Sequence, residues 1–164
     1  MLTLQTGRYL IGCVRDKARN KQLPSGVDYL NHLPGILTKS CTTGDFGDLQ
    51  TIGEAFNVTC ANLAVAAAKA YQEQLAKGLS EDEAQLQCGV QKAAAAKLHC
   101  LGYVFHRFRG AVKEAPSGLG TVLTDLCQVY GLSMVKENAG VFLQYGYLQP
   151  RHMNKVDAQV PRTL

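Results

Sequence analysis

The sequence has 164 residues, of which 46% are hydrophobic and 18% are charged. A chain of this length buries about 68–70% of its unfolded surface, so it can form one ordinary hydrophobic core. Its 17 Lys and Arg residues give a net charge of +4, but they are scattered, which argues against nucleic-acid binding. With no apolar run of about 18–20 residues and no signal-peptide pattern, the sequence predicts a soluble, intracellular chain without a membrane span.

The first predicted element is an amphipathic helix in MLTLQTGRYLIGCVRDKARNK, with Leu4, Gly7 and Ile11 on its apolar stripe. Its start signal is poor. Thr3 followed by Thr6 is a weak form of the usual pattern, in which Ser or Thr precedes Glu or Gln by three residues. Two interpretations stay open: either the first turn frays in water, or the sequence begins inside a longer helix whose cap lies upstream.

The next segment, QLPSGVDYLNHLPG, predicts one or two helical turns between Pro24 and Pro34, followed by a polar connector. We expect Asp45 or Asp48 to cap the long helix that comes next. This helix is predicted to end at Gly78. Its apolar residues recur at steps of three and four: Leu49, Ile52, Phe56, Cys60, Leu63, Ala67 and Tyr71.

Ser80 and Glu83 form the spacing of a capping box, which predicts a second helical arm running antiparallel to the first. Four consecutive alanines, Ala93 to Ala96, would let a neighbouring helix approach this arm closely. The spacing predicts one apolar face along the whole arm: Leu86, Val90, Ala94, Leu98, Leu101, Phe105, Phe108 and Val112.

A further helix is predicted after EAPSGLG, with an interruption between Gly131 and Ala139, a short buried element in VFLQYGYL and an amphipathic segment from Gln149 onward. The side chains predicted to face inward on that further helix are Leu119, Val122, Leu123, Leu126, Val129 and Tyr130. Strand-like alternation and a nucleotide-binding glycine loop are both absent from the sequence. The sequence therefore predicts an all-α protein with the architecture of a helical bundle.

Residues capable of chemistry are few. The six cysteines form no CxxC pair and follow no secretory signal, which predicts reduced, mostly packed thiols. His99 and His106 share a helical face, but no third ligand stands at the spacing of a zinc site, so no metal site is predicted. No catalytic residue is predicted, because no local signature orders the Ser, His and Asp residues into a catalytic set.

The segment HRFRG, from His106 to Gly110, interleaves an aromatic residue with cations. One interpretation is that it meets an anionic ligand, such as a phosphate or a carboxylate. The interpretation that we favour buries Phe105 and Phe108 and leaves Arg107 and Arg109 in solvent, since long charged side chains usually extend to water at helix edges.

Sequence motifs occur in three segments: residues 4–34, 93–100 and 126–148. In this order, and over nearly the whole chain, they resemble the peroxisomal acyl-CoA oxidase family. LQTGRYL, followed by SGVDYLNHLP, resembles a family segment that usually reads LQTAR plus an aromatic residue, with a YL-x-x-LP element later. AAAAKLHC resembles a helix of the family that contains alanines and a histidine. LCQVYGLSMVKENAGVFLQYGYL is similar to a stretch with a Tyr-Gly pair and an NAG-x-FL motif.

The resemblance implies an FAD-dependent enzyme of peroxisomal fatty-acid β-oxidation that converts fatty acyl-CoA to trans-2-enoyl-CoA. In this family, a glutamate removes the α-proton, hydride passes from the β-carbon to FAD, and oxygen reoxidises the flavin to give hydrogen peroxide. The catalytic glutamate precedes the LQTAR-like helix, and a middle β-domain holds much of the FAD. We therefore expect this chain to begin immediately after the glutamate. Expressed alone, it should bind no FAD and have no activity.

By the same resemblance, residues 1–34 would be the end of a first C-terminal helical domain, 35–47 a linker and 48–164 an incomplete second one. No family catalytic residue maps onto this chain. Gln5, Thr6 and Arg8 lie on the helix that leaves the catalytic loop, so they are the candidates for indirect support of a flavin site, although solvation of Arg8 is the favoured alternative. Gly7 stands where the family commonly has alanine, which still permits close packing but costs helix propensity.

The resemblance also implies a homodimer and peroxisomal localisation, although the terminal sequence VPRTL has Thr163 where a peroxisomal signal has a basic residue. Two functions of different classes stay open. The chain is either the C-terminal helical portion of an acyl-CoA oxidase or a free-standing, non-catalytic module that binds a protein partner through its apolar helix faces.

Overall fold

The structure is a computed structural model that describes residues 2–42, 44–116 and 118–160. Those residues form seven α-helices and, before the second of these, two short 3-10 helices, Asp28–His32 and Gly35–Thr38. The α-helices are α1 (Leu2–Ala18), α2 (Leu49–Ala76), α3 (Glu81–Gln87), α4 (Gly89–Lys113), α5 (Gly120–Glu137), α6 (Ala139–Gln144) and α7 (Pro150–Gln159). Within the described ranges there is no strand, and the prediction of an all-α protein is confirmed. None of the helices found there has the length and apolar character that crossing a bilayer requires.

Side chains cap two of these helices where the sequence indicated a start. Asp48 caps α2: its carboxylate accepts hydrogen bonds from the backbone amides of Gln50 at 2.9 Å and Thr51 at 3.2 Å. The predicted capping box of α3 is confirmed, since the Glu83 carboxylate accepts from the Ser80 amide at 3.0 Å and Ser80 Oγ accepts from the Glu83 amide at 3.4 Å. Both arrangements satisfy amide protons that have no partner inside the helix. Met1, which bears on the open question about the start of α1, lies outside the described residues.

The chain divides into two compact units, each built from separate stretches of sequence. Unit 1 comprises Met1–Thr38 and Cys60–Cys100. It contains α1, the 3-10 helices and the segment of four alanines, of which Ala95 and Ala96 are buried. Gly7 of α1 lies directly against α4, because a Cβ at this position would stand 2.6 Å from both the Cβ and the carbonyl oxygen of Lys92. Because glycine has no Cβ, the backbones of α1 and α4 can approach each other more closely here than any other residue would permit.

Unit 2 comprises Lys39–Thr59 and Leu101–Leu164, and its core is aromatic. Phe56 of α2 stacks on Phe105 of α4 with ring centroids 5.4 Å apart. Phe56 and Phe142 meet edge to face, with ring centroids 5.3 Å apart. All three rings are fully buried. Gly131 of α5 packs against this cluster, since a Cβ there would stand 2.6 Å from Cε2 of Phe105. Such ring pairs contribute about 0.5–1.5 kcal/mol beyond the area that they bury.

The long stripe predicted for α2 is buried apart from its first residue, Leu49, which is half-buried. The face predicted for the second arm is wrong at its start, because Leu86 is 78% exposed and Val90 is 80% exposed. The helix breaks at Cys88, between α3 and α4, so the apolar register predicted for one continuous helix does not carry across this point. The buried residues near the break are Ala84, Gln85, Cys88 and Lys92 instead.

The inward face predicted for α5 is also wrong. Leu119, Val122 and Leu126 are more than half exposed, and the buried residues are Cys127, Gly131, Leu132 and Val135. The predicted interruption after Gly131 is absent, since α5 continues to Glu137. A helix can pack through small side chains at steps of four, and this pattern is weaker in the sequence than a leucine stripe. The short buried element after α5 is confirmed by α6 and by Phe142, Tyr147 and Leu148, all of which are buried.

Candidate functional site

The three residues proposed to support a flavin site lie along one helix, α1. Gln5 and Arg8 are exposed and Thr6 is half-buried, while Gly7 between them faces inward. Thr6 Oγ1 donates to the carbonyl of Leu2 at 3.1 Å, so its hydroxyl is used within the helix. An Arg8 nitrogen lies 3.7 Å from an Asp82 oxygen, but both side chains are mostly exposed, and such pairs contribute little stability. The structure therefore leaves the side chains of Gln5 and Arg8 accessible.

His99 and Tyr29 form a polar pair in unit 1, where the Tyr29 hydroxyl lies 3.2 Å from Nδ1 of His99. Burial lowers the pKa of His99 below its ordinary 6.5 and raises the pKa of Tyr29. Both side chains are therefore neutral at pH 7 and offer no charge to a ligand. The pair explains the presence of His99 without a metal.

His106 has a separate partner in unit 2, because its Nε2 lies 2.8 Å from Oδ1 of Asn57 on α2. One turn further along α4, Nη1 of Arg109 donates to Oε1 of Gln50 at 2.8 Å. Gly53 lies between Gln50 and Asn57 on α2, and a Cβ there would be 2.9 Å from Nη1 of Arg109 and 3.0 Å from Cε1 of His106. The missing side chain lets both polar groups of α4 lie against the backbone of α2.

The segment HRFRG follows the favoured interpretation in part. Phe105 is fully buried and Phe108 half-buried, and Arg107 is exposed, as the favoured interpretation predicted. Arg109 is only half-buried, but its guanidinium is held by Gln50 rather than extending freely into solvent. The sequence could not indicate this arrangement, because Gln50 and Gly53 lie more than fifty residues away and only the fold brings them to α4.

Most of the cysteines are packed inside the protein. Five cysteines are buried and only Cys100 is exposed, so the prediction of mostly packed thiols is confirmed. Burial raises the pKa of the Cys60 thiol, which disfavours the reactive thiolate. In the part of the chain that the structure describes, no group of three or more His, Cys, Asp or Glu residues could hold a metal ion.

A buried lysine is the main polar feature that the sequence reasoning missed. Lys92 is 5% exposed, and its Nζ donates to Oε1 of Gln85 at 3.0 Å. Gln85 lies on α3 and Lys92 on α4, on either side of the break at Cys88, so no helical spacing in the sequence pointed to this pair. Lys92 also provides the surface against which Gly7 packs, so this polar contact and the close approach of α1 share one residue.

Comparison with known proteins gives one consistent family. The family model for acyl-CoA oxidase matches residues 48–164. Peroxisomal acyl-coenzyme A oxidase 1 of Phascolarctos cinereus is 28% identical over 171 aligned residues, covering 100% of this chain and 26% of that protein. The crystal structure of acyl-CoA oxidase 3 from Yarrowia lipolytica aligns with a TM-score of 0.92 and 27% identity, covering 97% of this chain and 23% of that one.

The structure of acyl-CoA oxidase-1 from Caenorhabditis elegans complexed with FAD and ATP has a TM-score of 0.87. At 19% identity, with 98% of this chain and 24% of that chain covered, it supports the fold alone. The chain thus spans about a quarter of the length of the proteins that it matches. Since the family model covers well over half of its residues, this chain belongs to the acyl-CoA oxidase family.

Proposed function

We propose that this chain is the C-terminal helical portion of a flavin-dependent acyl-CoA oxidase. The intact enzyme would convert fatty acyl-CoA to trans-2-enoyl-CoA and release hydrogen peroxide in peroxisomal fatty-acid β-oxidation. The observation that carries this proposal is the family match over residues 48–164, and the backbone similarity to the Yarrowia oxidase supports it. The peroxisomal assignment rests on the name of the Phascolarctos relative.

FAD would be the cofactor of the intact protein, as it is present in the Caenorhabditis oxidase structure. When bound, it would accept the hydride from the β-carbon of the acyl group. Gln5 and Arg8 fit a supporting role, because their amide and guanidinium groups are accessible on α1. Thr6 fits less well, since its hydroxyl is bonded to Leu2. None of these residues would enclose a flavin, so we expect residues 1–164 alone to bind no stoichiometric FAD and to form no peroxide.

The domain organisation in this proposal has residues 1–34 closing a first helical domain, 35–47 as a linker and 48–164 within a second helical domain. Two exposed apolar sets support contact with further protein, either the rest of the oxidase or a second copy in a homodimer. The set on α1 consists of Leu2, Leu4 and Tyr9, and the set at the start of α5 consists of Leu119, Val122 and Leu126.

The alternative is a free-standing helical module that has no catalytic activity and binds a protein partner. The same exposed apolar side chains favour it, because they would suit a partner surface as well as they suit an oxidase domain. Under this alternative, acyl-CoA would not be a substrate of any form of the protein.

The native transcript distinguishes the two functions. We would sequence it across the region upstream of Met1 and express the longest open reading frame that contains residues 1–164. The oxidase proposal predicts an upstream glutamate and flavin domain, a yellow protein with flavin absorbance, and peroxide formation with a saturated acyl-CoA. Residues 1–164 expressed alone are the matched control and should show neither flavin absorbance nor peroxide formation. A stop codon directly upstream of Met1, or a longer product without flavin, would refute the oxidase proposal.

A further inference from the structure

A cleft of about 200 Å³ opens to solvent in unit 2, where α2 begins and α4 ends. Three residues at the start of α2 and three at the end of α4 line the cleft: Asp48, Leu49, Gln50, Arg109, Val112 and Lys113. The two cations come from successive turns of α4, and the carboxylate is the cap of α2. The cleft thus combines fixed charges with two apolar side chains, which is the usual composition of a small ligand site.

The guanidinium of Arg109 is held in place before any ligand arrives. Gln50 accepts one of its hydrogen bonds at 2.8 Å, and the missing side chain of Gly53 leaves room for Nη1 against α2. Gln50 is neutral, so this bond fixes the position of the guanidinium without neutralising its charge. An arginine has five N–H donors in a planar fork, and a fixed fork loses less conformational freedom when an anion binds.

The charges around the cleft favour an anion. Arg109 and Lys113 carry two positive charges, and Asp48 carries the one negative charge among the lining residues. Both oxygens of Asp48 already accept hydrogen bonds from Gln50 and Thr51 at the start of α2. In the described part of the chain, neither cation of the cleft forms an ion pair with a carboxylate.

We propose that this cleft binds a phosphate group. A phosphate monoester carries a charge of about −1.5 to −2 at pH 7, which matches two cations better than a monovalent carboxylate does. The arginine fork can donate two parallel hydrogen bonds to phosphate oxygens, and the lysine supplies a second point charge. Leu49 and Val112 reduce the contact of water with these bonds. The inference is independent of the function proposed above, because it concerns a site made entirely by residues 48–53 and 109–113.

The test is a titration of the 164-residue chain with inorganic phosphate at low and constant ionic strength. Binding is monitored by the NMR signals of the backbone amides. Phosphate should shift the amide signals of residues 48–53 and 109–113. The variant Arg109→Gln should weaken binding at least tenfold. The variant Asp48→Asn should tighten it several-fold, because asparagine caps a helix about as well as aspartate but carries no charge. The matched control is Arg107→Gln, which removes an exposed cation from the same helix and should leave the affinity within twofold.

Two results would overturn the proposal. One is signal shifts that sodium chloride reproduces at equal ionic strength, and the other is an equal loss of affinity in Arg107→Gln and Arg109→Gln. If Arg109→Gln does not fold, Lys113→Gln and Asp48→Asn still decide the question, because they must change affinity in opposite directions. The affinity for adenosine diphosphate, compared with that for inorganic phosphate, distinguishes a phosphate group of a larger molecule from free phosphate. Binding at least tenfold tighter than inorganic phosphate assigns the site to a phosphate of a larger molecule, and equal binding assigns it to free phosphate.

Discussion

Replacement of Gly7 by alanine tests the close approach between α1 and α4. The new Cβ would stand 2.6 Å from the Cβ and the carbonyl oxygen of Lys92, and the backbone carbonyl cannot rotate away as a side chain does. Overpacking of this kind costs about 1–3 kcal/mol. Alanine also gains about 1 kcal/mol over glycine inside a helix. We therefore expect Gly7→Ala to lower the free energy of unfolding by up to about 2 kcal/mol.

Gly12→Ala is the matched control, because Gly12 lies on the same helix and a Cβ there meets no atom within 4 Å. The gain in helix propensity is common to both variants, so the difference between their unfolding free energies isolates the contact with Lys92. This difference should be about 1–3 kcal/mol. For a chain of this size, each kcal/mol corresponds to a shift of about 2–4 °C in the melting temperature.

The assay is urea unfolding of the two variants and the parent chain. Loss of helix is monitored by far-UV circular dichroism. Gly7→Ala should unfold at a lower urea concentration than the parent, and Gly12→Ala at the same or a higher one. If Gly7→Ala is as stable as Gly12→Ala, the two helices do not approach at this glycine and the reasoning is refuted.

Three further predictions concern Gly131, Thr59 and His99. Gly131→Ala should destabilise by about 1–3 kcal/mol relative to Gly110→Ala in urea unfolding, because its Cβ would meet Phe105 whereas that at Gly110 meets nothing within 4 Å; equal stabilities would contradict this. Thr59→Val should raise stability by about 1 kcal/mol, since the buried Thr59 hydroxyl has no hydrogen-bond partner among the described residues; a loss of stability would reveal a missed partner. His99 should titrate below pH 6.5 in an NMR titration of its ring protons. Since the unfolded chain then takes up the proton first, this histidine contributes stability that declines as the pH falls below about 6.5; a midpoint at or above 6.5 would contradict its burial.

Local signals predicted the starts of α2 and α3 and the burial of α2 well. The cap at Asp48 and the capping box at Ser80 need only residues within one turn, so the sequence contains all the necessary information. The stripe of α2 was equally reliable, because one uninterrupted helix keeps its period of 3.6 residues. The all-α class followed directly from these elements.

Faces that depend on a break or on packing partners could not be predicted in the same way. The break at Cys88 altered the register of the second arm, so Leu86 and Val90 became exposed. On α5, the position of Gly131 against Phe105 decided which side is buried, and a search for large apolar residues selects the opposite side. The cleft around Arg109 was beyond sequence reasoning, since residues 48–53 and 109–113 meet only in the folded chain.

The interleaved composition of the two units has a consequence for the order of folding during synthesis. Unit 1 is complete once Cys100 has left the ribosome, whereas the first segment of unit 2, Lys39–Thr59, must wait for residues 101–164. At the usual rate of about 5–20 residues per second, this wait lasts about 3–13 s. Ile52 and Phe56 lack their final partners during that time. The first part of α2 therefore exposes apolar side chains on the nascent chain, and chaperones bind surfaces of this kind.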